Sequence, residues 1–143
     1  MKPPITSVEV TYLIHATEDE RKVEEAVKSL LGMTPSFERD VLEGHFGNQI
    51  IKARAHMTGE AAASAFRHVI ASLPLDVRRG AVMDLRAHID EHSALYLRLD
   101  KQSLISGSPE LGTKDAVRVK VKPRLYGLKG GAFELYAMEL GRS

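Results

Sequence analysis

A chain of 143 residues with 43% hydrophobic and 27% charged side chains has the composition of a globular protein able to build a core. The absence of cysteine removes disulfides, thiolate metal sites and a cysteine nucleophile. A net charge of +1 says nothing about a nucleic-acid ligand, so that question rests on where the charges sit.

No apolar run approaches membrane-spanning length, and Met1-Lys2-Pro3-Pro4 does not lead into a secretory apolar segment. A cytoplasmic location is expected. From Ser7 to Ala16 the residues alternate, Val8, Val10, Tyr12 and Ile14 on one side and Glu9, Thr11, Leu13 and His15 on the other, the pattern of a half-buried strand. Thr17 with Glu20 three residues on reads as a capping box, and Val23, Ala26, Val27, Leu30 and Leu31 then recur at helical spacing up to Gly32. Two further strands are predicted at 37–42 and 49–57, joined through Gly44-His45-Phe46-Gly47-Asn48, whose glycines and Asn permit a tight reversal. Five residues are more than a minimal turn needs, so the tip is a candidate contact point.

Thr58 is expected to cap a second helix burying Ala62, Phe66, Val69, Ile70 and Leu73, which Pro74 ends. Asp76 would cap a third, burying Val77, Ala81, Leu85 and Ile89, with Asp90 to Ser93 as a polar connection. Leu95, Leu97 and Leu99 alternate with Tyr96, Arg98 and Asp100 in a strand, and Val117, Val119 and Val121 with Arg118, Lys120 and Lys122 in another, stopped by Pro123. Between them, Lys101 to Asp115 reads mainly as loop. Ala132 to Leu140 fits either a strand or a short helix. The order is β-α-β-β-α-α-β-β, and strands this amphipathic belong to a mostly antiparallel sheet with helices on one face: an α+β fold of two layers.

The opposite sheet face then presents Lys52, Arg54 and His56, Tyr96 and Arg98, and Arg118, Lys120 and Lys122, while the acidic complement is expected elsewhere, mostly at Glu18 to Glu25. Cations interleaved with an aromatic suit nucleic acid, the cations neutralising phosphates and Tyr96 stacking on an unpaired base. The same pattern also describes an ordinary solvated sheet face with lysines that keep edges from pairing. The six histidines show no metal-ligand spacing, and no metal or other cofactor is expected. No nucleophile elbow, P-loop or dinucleotide fingerprint is present. His15, Asp100 and Lys101 would form an acid–base group only if the fold gathered them; a local ion pair at a strand end is the simpler reading.

Three motifs occur in order: His15-Ala16-Thr17-Glu18-Asp19, Glu43-Gly44-His45-Phe46-Gly47-Asn48, and Leu97-Arg98-Leu99-Asp100-Lys101-Gln102. With them the chain resembles the archaeal DUF54 family over about residues 7–122, departing from it at Phe46 and Gln49, where the family commonly has His and Pro. The resemblance implies a fold similar to ribosomal protein L5, RNA as ligand, and the exosome or other RNA-processing proteins as partners. The sequence is accordingly read as one α+β RNA-binding domain over 1–123, with a C-terminal extension, 124–143, packed on it. The expected function is non-catalytic RNA binding as an accessory factor in archaeal RNA processing or degradation. The alternative is a protein-interaction subunit of such a complex without direct RNA contact. The expected RNA-contacting residues are Lys52, Arg54, Tyr96, Arg98, Lys101, Gln102, Arg118, Lys120 and Lys122, with His45, Phe46 and Asn48 at the tip.

Overall fold

The structure, a computed structural model, describes residues 4–44, 47–124 and 131–141. Its first strand, β1, runs Ile5–His15 and is central to the sheet. A tight turn follows, closed by Glu18 N donating to His15 O at 2.9 Å. Helix α1, Glu20–Leu31, then begins with Asp19 as its cap: Asp19 Oδ1 accepts from Arg21 N. The expected Thr17 cap is therefore displaced two residues, because the turn holds 16–19 outside the helix. Glu20, freed from a capping role, instead accepts two hydrogen bonds from Arg39, at 2.6 and 2.9 Å.

Helix α1 ends at Gly32, φ +68°, where a Cβ would meet the His68 ring at 2.4 Å. That close approach lets His68 Nδ1 donate to Leu30 O at the helix end. Strands β2, Phe37–Glu43, and β3, Gln49–Thr58, pair antiparallel from Phe37↔Ala55 to Glu43↔Gln49. Among the described residues of the tip Gly47 alone takes a positive φ, and Gly44 N donates to Asn48 O at 2.7 Å. His45 and Phe46 lie outside the described residues.

Helix α2, Gly59–Ser72, buries Ala62, Ala65, Phe66, Val69 and Ile70 against β1 and β3. Thr58 stands at its N-cap, but its hydroxyl makes no capping bond. Helix α3, Leu75–Met83, is shorter than expected. It follows Pro74, with Asp76 in its first turn, and stops at Asp84; a 3₁₀ turn, Leu85–His88, follows. Ile89, expected on the helix, lies in extended backbone bridged to Leu95. Strand β4 is Leu95–Asp100 and β5 is Ala116–Pro123. The connection between them is not simply loop. Asp100 Oδ2 accepts from Ser103 N and starts helix α4, Lys101–Ser106, which Gly107 ends in the left-handed region. The returning segment then covers the outer edge of β4: Asp100 N donates to Glu110 O and Gly112 N to Arg98 O. Helix α5, Gly131–Gly141, decides the C-terminal segment in favour of helix and buries Leu135, Tyr136 and Leu140.

All four strand pairings are antiparallel, in the order β2-β3-β1-β5-β4, and the fold is α+β with helices on one face of a five-stranded sheet. One inward-facing row crosses it as the partly buried Phe37 followed by the buried Ala55, Val10, Val119 and Leu97. Register is firmly set. A one-residue slip of β5 would exchange the fully buried Val117, Val119 and Val121 for Arg118, Lys120 and Lys122, driving three cations into the core.

Candidate nucleic-acid interface

The face away from the helices is ordered by that register. One row reads Glu38, Arg54, Thr11, Arg118 and Arg98 across all five strands. The next holds His56, Glu9, Lys120 and Tyr96, and a third holds Thr58, Ser7 and Lys122. On the other side, Asp40, Lys52 and Leu13 align. Strands are about 4.8 Å apart and residues on one face about 6.8 Å apart along a strand, so the cations spread over roughly 14 Å across the strands and roughly 20 Å along them. Sequence alternation thus placed Lys52, Arg54, Arg98, Arg118, Lys120 and Lys122 on one face with Tyr96.

The acidic complement is not elsewhere, as expected, but partly on this face. Glu38 Oε2 accepts from Arg54 Nη2 at 2.7 Å, Glu9 lies 3.5 Å from Arg118 Nη2, and Asp40 is opposite Lys52 in the pairing. On the β2–β3–β1 side two cations, Lys52 and Arg54, therefore meet three carboxylates, whereas on the strands β5 and β4 four cations meet one, Asp100 at the end of β4. Arg54 is committed to Glu38, and its guanidinium is held further toward the charged form by that hydrogen bond. The positive excess belongs to the β5–β4 half.

There Tyr96 and the three cations around it form one unit. Lys120 Nζ lies 5.4 Å from the ring centroid, and the guanidinium carbons of Arg118 and Arg98 lie at 5.6 and 5.7 Å. The Tyr96 hydroxyl lies beside Asp90 and favours its charged form. That carboxylate accepts at 2.9 Å from Ala94 N and from His92 N, and these bonds, the one from Ala94 first, hold it below its usual range. A shallow groove of about 490 Å³ crosses the face, lined by Lys52, Arg98 and Arg118 together with Thr11, Thr113 and Asp115.

Lys101 departs from the expected surface. It is only 2% exposed, and its three ammonium hydrogens have three acceptors: Leu13 O at 2.6 Å, Asp115 Oδ1 at 2.9 Å and Glu18 Oε1 at 3.0 Å. As first residue of α4 it points inward beneath the strand ends, where burial is tolerable only because two carboxylates meet it. Gln102, the next residue, is exposed. Asp115 also lies 3.2 Å from His15 Nε2. His15 and Lys101 are thus brought together, as the acid–base reading required, but through Asp115; Asp100 is occupied in capping α4. Nothing in the local sequence marked Asp115, a loop residue at φ +49°. Glu9, by contrast, was legible: it alternates in phase with Thr11 and so had to share the face with Arg118. Asn48 is exposed at the hairpin end.

Fold and face together define an antiparallel α+β protein with a cationic sheet surface. No described helix is long and apolar enough to cross a membrane. A family model described as RNA binding matches residues 7–123, and the chain belongs to that family, the DUF54 proteins. It is similar to the protein MJ0213 of Methanocaldococcus jannaschii, 31% identical over 109 residues that make up 72% of this chain and 73% of that one. The RNA-binding protein PAB1135 of Pyrococcus abyssi is 28% identical over 86% of this chain and 84% of its own. Among solved structures, Mth689 of Methanothermobacter thermautotrophicus, a DUF54 protein, superposes with a TM-score of 0.76 at 33% identity, covering 96% of this chain and 98% of that one.

Proposed function

We propose that the protein binds RNA through the β5–β4 half of its solvent-facing sheet and serves as a non-catalytic accessory factor in RNA processing or degradation, with proteins of that machinery as its partners. The observation that carries this is the excess of cations there: Arg98, Arg118, Lys120 and Lys122 on two neighbouring strands, on the face that no described helix covers. Membership in an RNA-binding family and likeness to a relative named as an RNA-binding protein support the ligand class. Lys52 extends the surface toward β3, and Gln102 and Asn48 lie at its margins. Arg54 contributes less, because an RNA phosphate must compete with Glu38.

Four phosphate contacts give a slope of log affinity against log salt of roughly −3. The test is a binding titration against RNA at several salt concentrations, with the Arg118→Glu, Lys120→Glu double variant beside the wild type. Expected is loss of affinity by at least about a hundredfold in a variant that still melts cooperatively, since two attractions become repulsions. Unchanged binding in the folded variant, or affinity indifferent to salt, would sink the reading.

A further inference from the structure

The proposed RNA face holds one aromatic side chain among the described residues, and its ring is already occupied. Tyr12 and Phe37 are turned to the helix side, where their rings meet edge to face at 6.4 Å, and Phe66 and Tyr136 pair in the same manner in the core. That leaves Tyr96, half-buried, with Arg98, Arg118 and Lys120 all within 5.7 Å of its ring centre. Proteins that grip single strands combine a cationic track with open aromatic faces on which bases stack. Here the ring is covered by the cations that would otherwise form the track. The ring in turn gives three charged side chains one shared point of contact.

The distribution of charge agrees. A single strand needs one line of cations, whereas these extend both along β5, from Arg118 to Lys122, and across to β4 and β3 at Arg98 and Lys52. A surface extended in two directions suits phosphates arriving from two backbones. Thr113, exposed in the groove beside Lys52, Arg98 and Arg118, adds a hydroxyl of the kind that meets sugar 2′-hydroxyls in the shallow minor groove of A-form helices.

We infer that the RNA recognised is double-helical, held by its sugar–phosphate surface, and that Tyr96 is a positioning residue for Arg98, Arg118 and Lys120 and not a stacking platform. This rests on the RNA-binding reading above and specifies its ligand. The test is fluorescence anisotropy with two labelled probes at equal salt, an RNA hairpin with a stem of about 16 base pairs and an unstructured oligouridine of similar charge, against wild type, Tyr96→Phe and Tyr96→Leu. The hairpin is expected to bind wild type at least about tenfold more tightly than oligouridine. Tyr96→Leu should weaken both probes by a similar factor of about three, because the loss acts through the placement of cations. Tyr96→Phe, which keeps the ring and removes only the hydroxyl, should fall between wild type and Tyr96→Leu. Equal or tighter binding of oligouridine would overturn the inference, and so would a Tyr96→Leu loss confined to oligouridine; either result leaves RNA binding itself standing. Binding of neither probe would overturn both readings.

Discussion

Lys101 shows how one residue joins the strands to the loop that shapes the groove. Its ammonium links the end of β1, the turn at Glu18 and the loop at Asp115, and Asp115 both lines the groove and holds His15. Replacing Lys101 by Ala leaves two carboxylates facing each other with no cation between them. Glu18 is 18% and Asp115 42% exposed, so solvent relieves part of the repulsion. Expected is a loss of about 3 kcal/mol in denaturant unfolding, the lower part of the range for breaking a buried pair. A loss below about 0.5 kcal/mol would show the network to be incidental. The sequence pattern put Lys101 on the surface because it follows Asp100 at a strand end. Its inward turn depends on Glu18 and Asp115, 83 and 14 residues away in sequence, and no local periodicity reports such a meeting.

At the scale of elements, the strands were the most legible part, because alternation of valine with lysine or arginine fixes both the structure and the buried face. Helices were legible where their apolar stripe was long, as in α1 and α2. They were not where packing overrides it: α4 has six residues and rests on one cap, and α3 ends at Asp84 although its apolar spacing continues to Ile89. Helix α5 could not be told from a strand because nearly all its residues are apolar. What fixes it is Tyr136, fully buried, whose hydroxyl donates to Ser93 O at 2.7 Å and lies 3.3 Å from Val121 O. Burial, foremost, pushes its phenol well above the ordinary tyrosine range, so the hydroxyl remains a donor at any pH the fold survives. Tyr136→Phe removes the donor and leaves Ser93 O, in the connection before β4, short of its partner, at a cost of about 1 kcal/mol. Thermal unfolding would register this as a lowered midpoint, and hydrogen exchange should rise in 131–141 before it rises in β1. An unchanged midpoint would mean that water replaces the hydroxyl fully.

For the molecule as a whole, the near-neutral total charge conceals two unlike halves of one sheet face. Reading alternation alone gave the cations correctly but treated the face as uniform. Register adds that Glu9, Glu38 and Asp40 offset the β2–β3–β1 side, which moves the proposed RNA contact to β5 and β4. It also ties the hairpin to the body through Arg39 and Glu20 without giving its tip a role, and His45 and Phe46 lie outside the described residues. The most direct test of RNA binding by this face is ultraviolet crosslinking of the protein to cellular RNA, with the crosslinked peptides mapped by mass spectrometry. Expected are adducts within 95–100 and 116–123, with fewer at Lys52 on β3. Adducts confined to α1, α2 or α3, on the opposite side of the sheet, or no adducts above background, would contradict it.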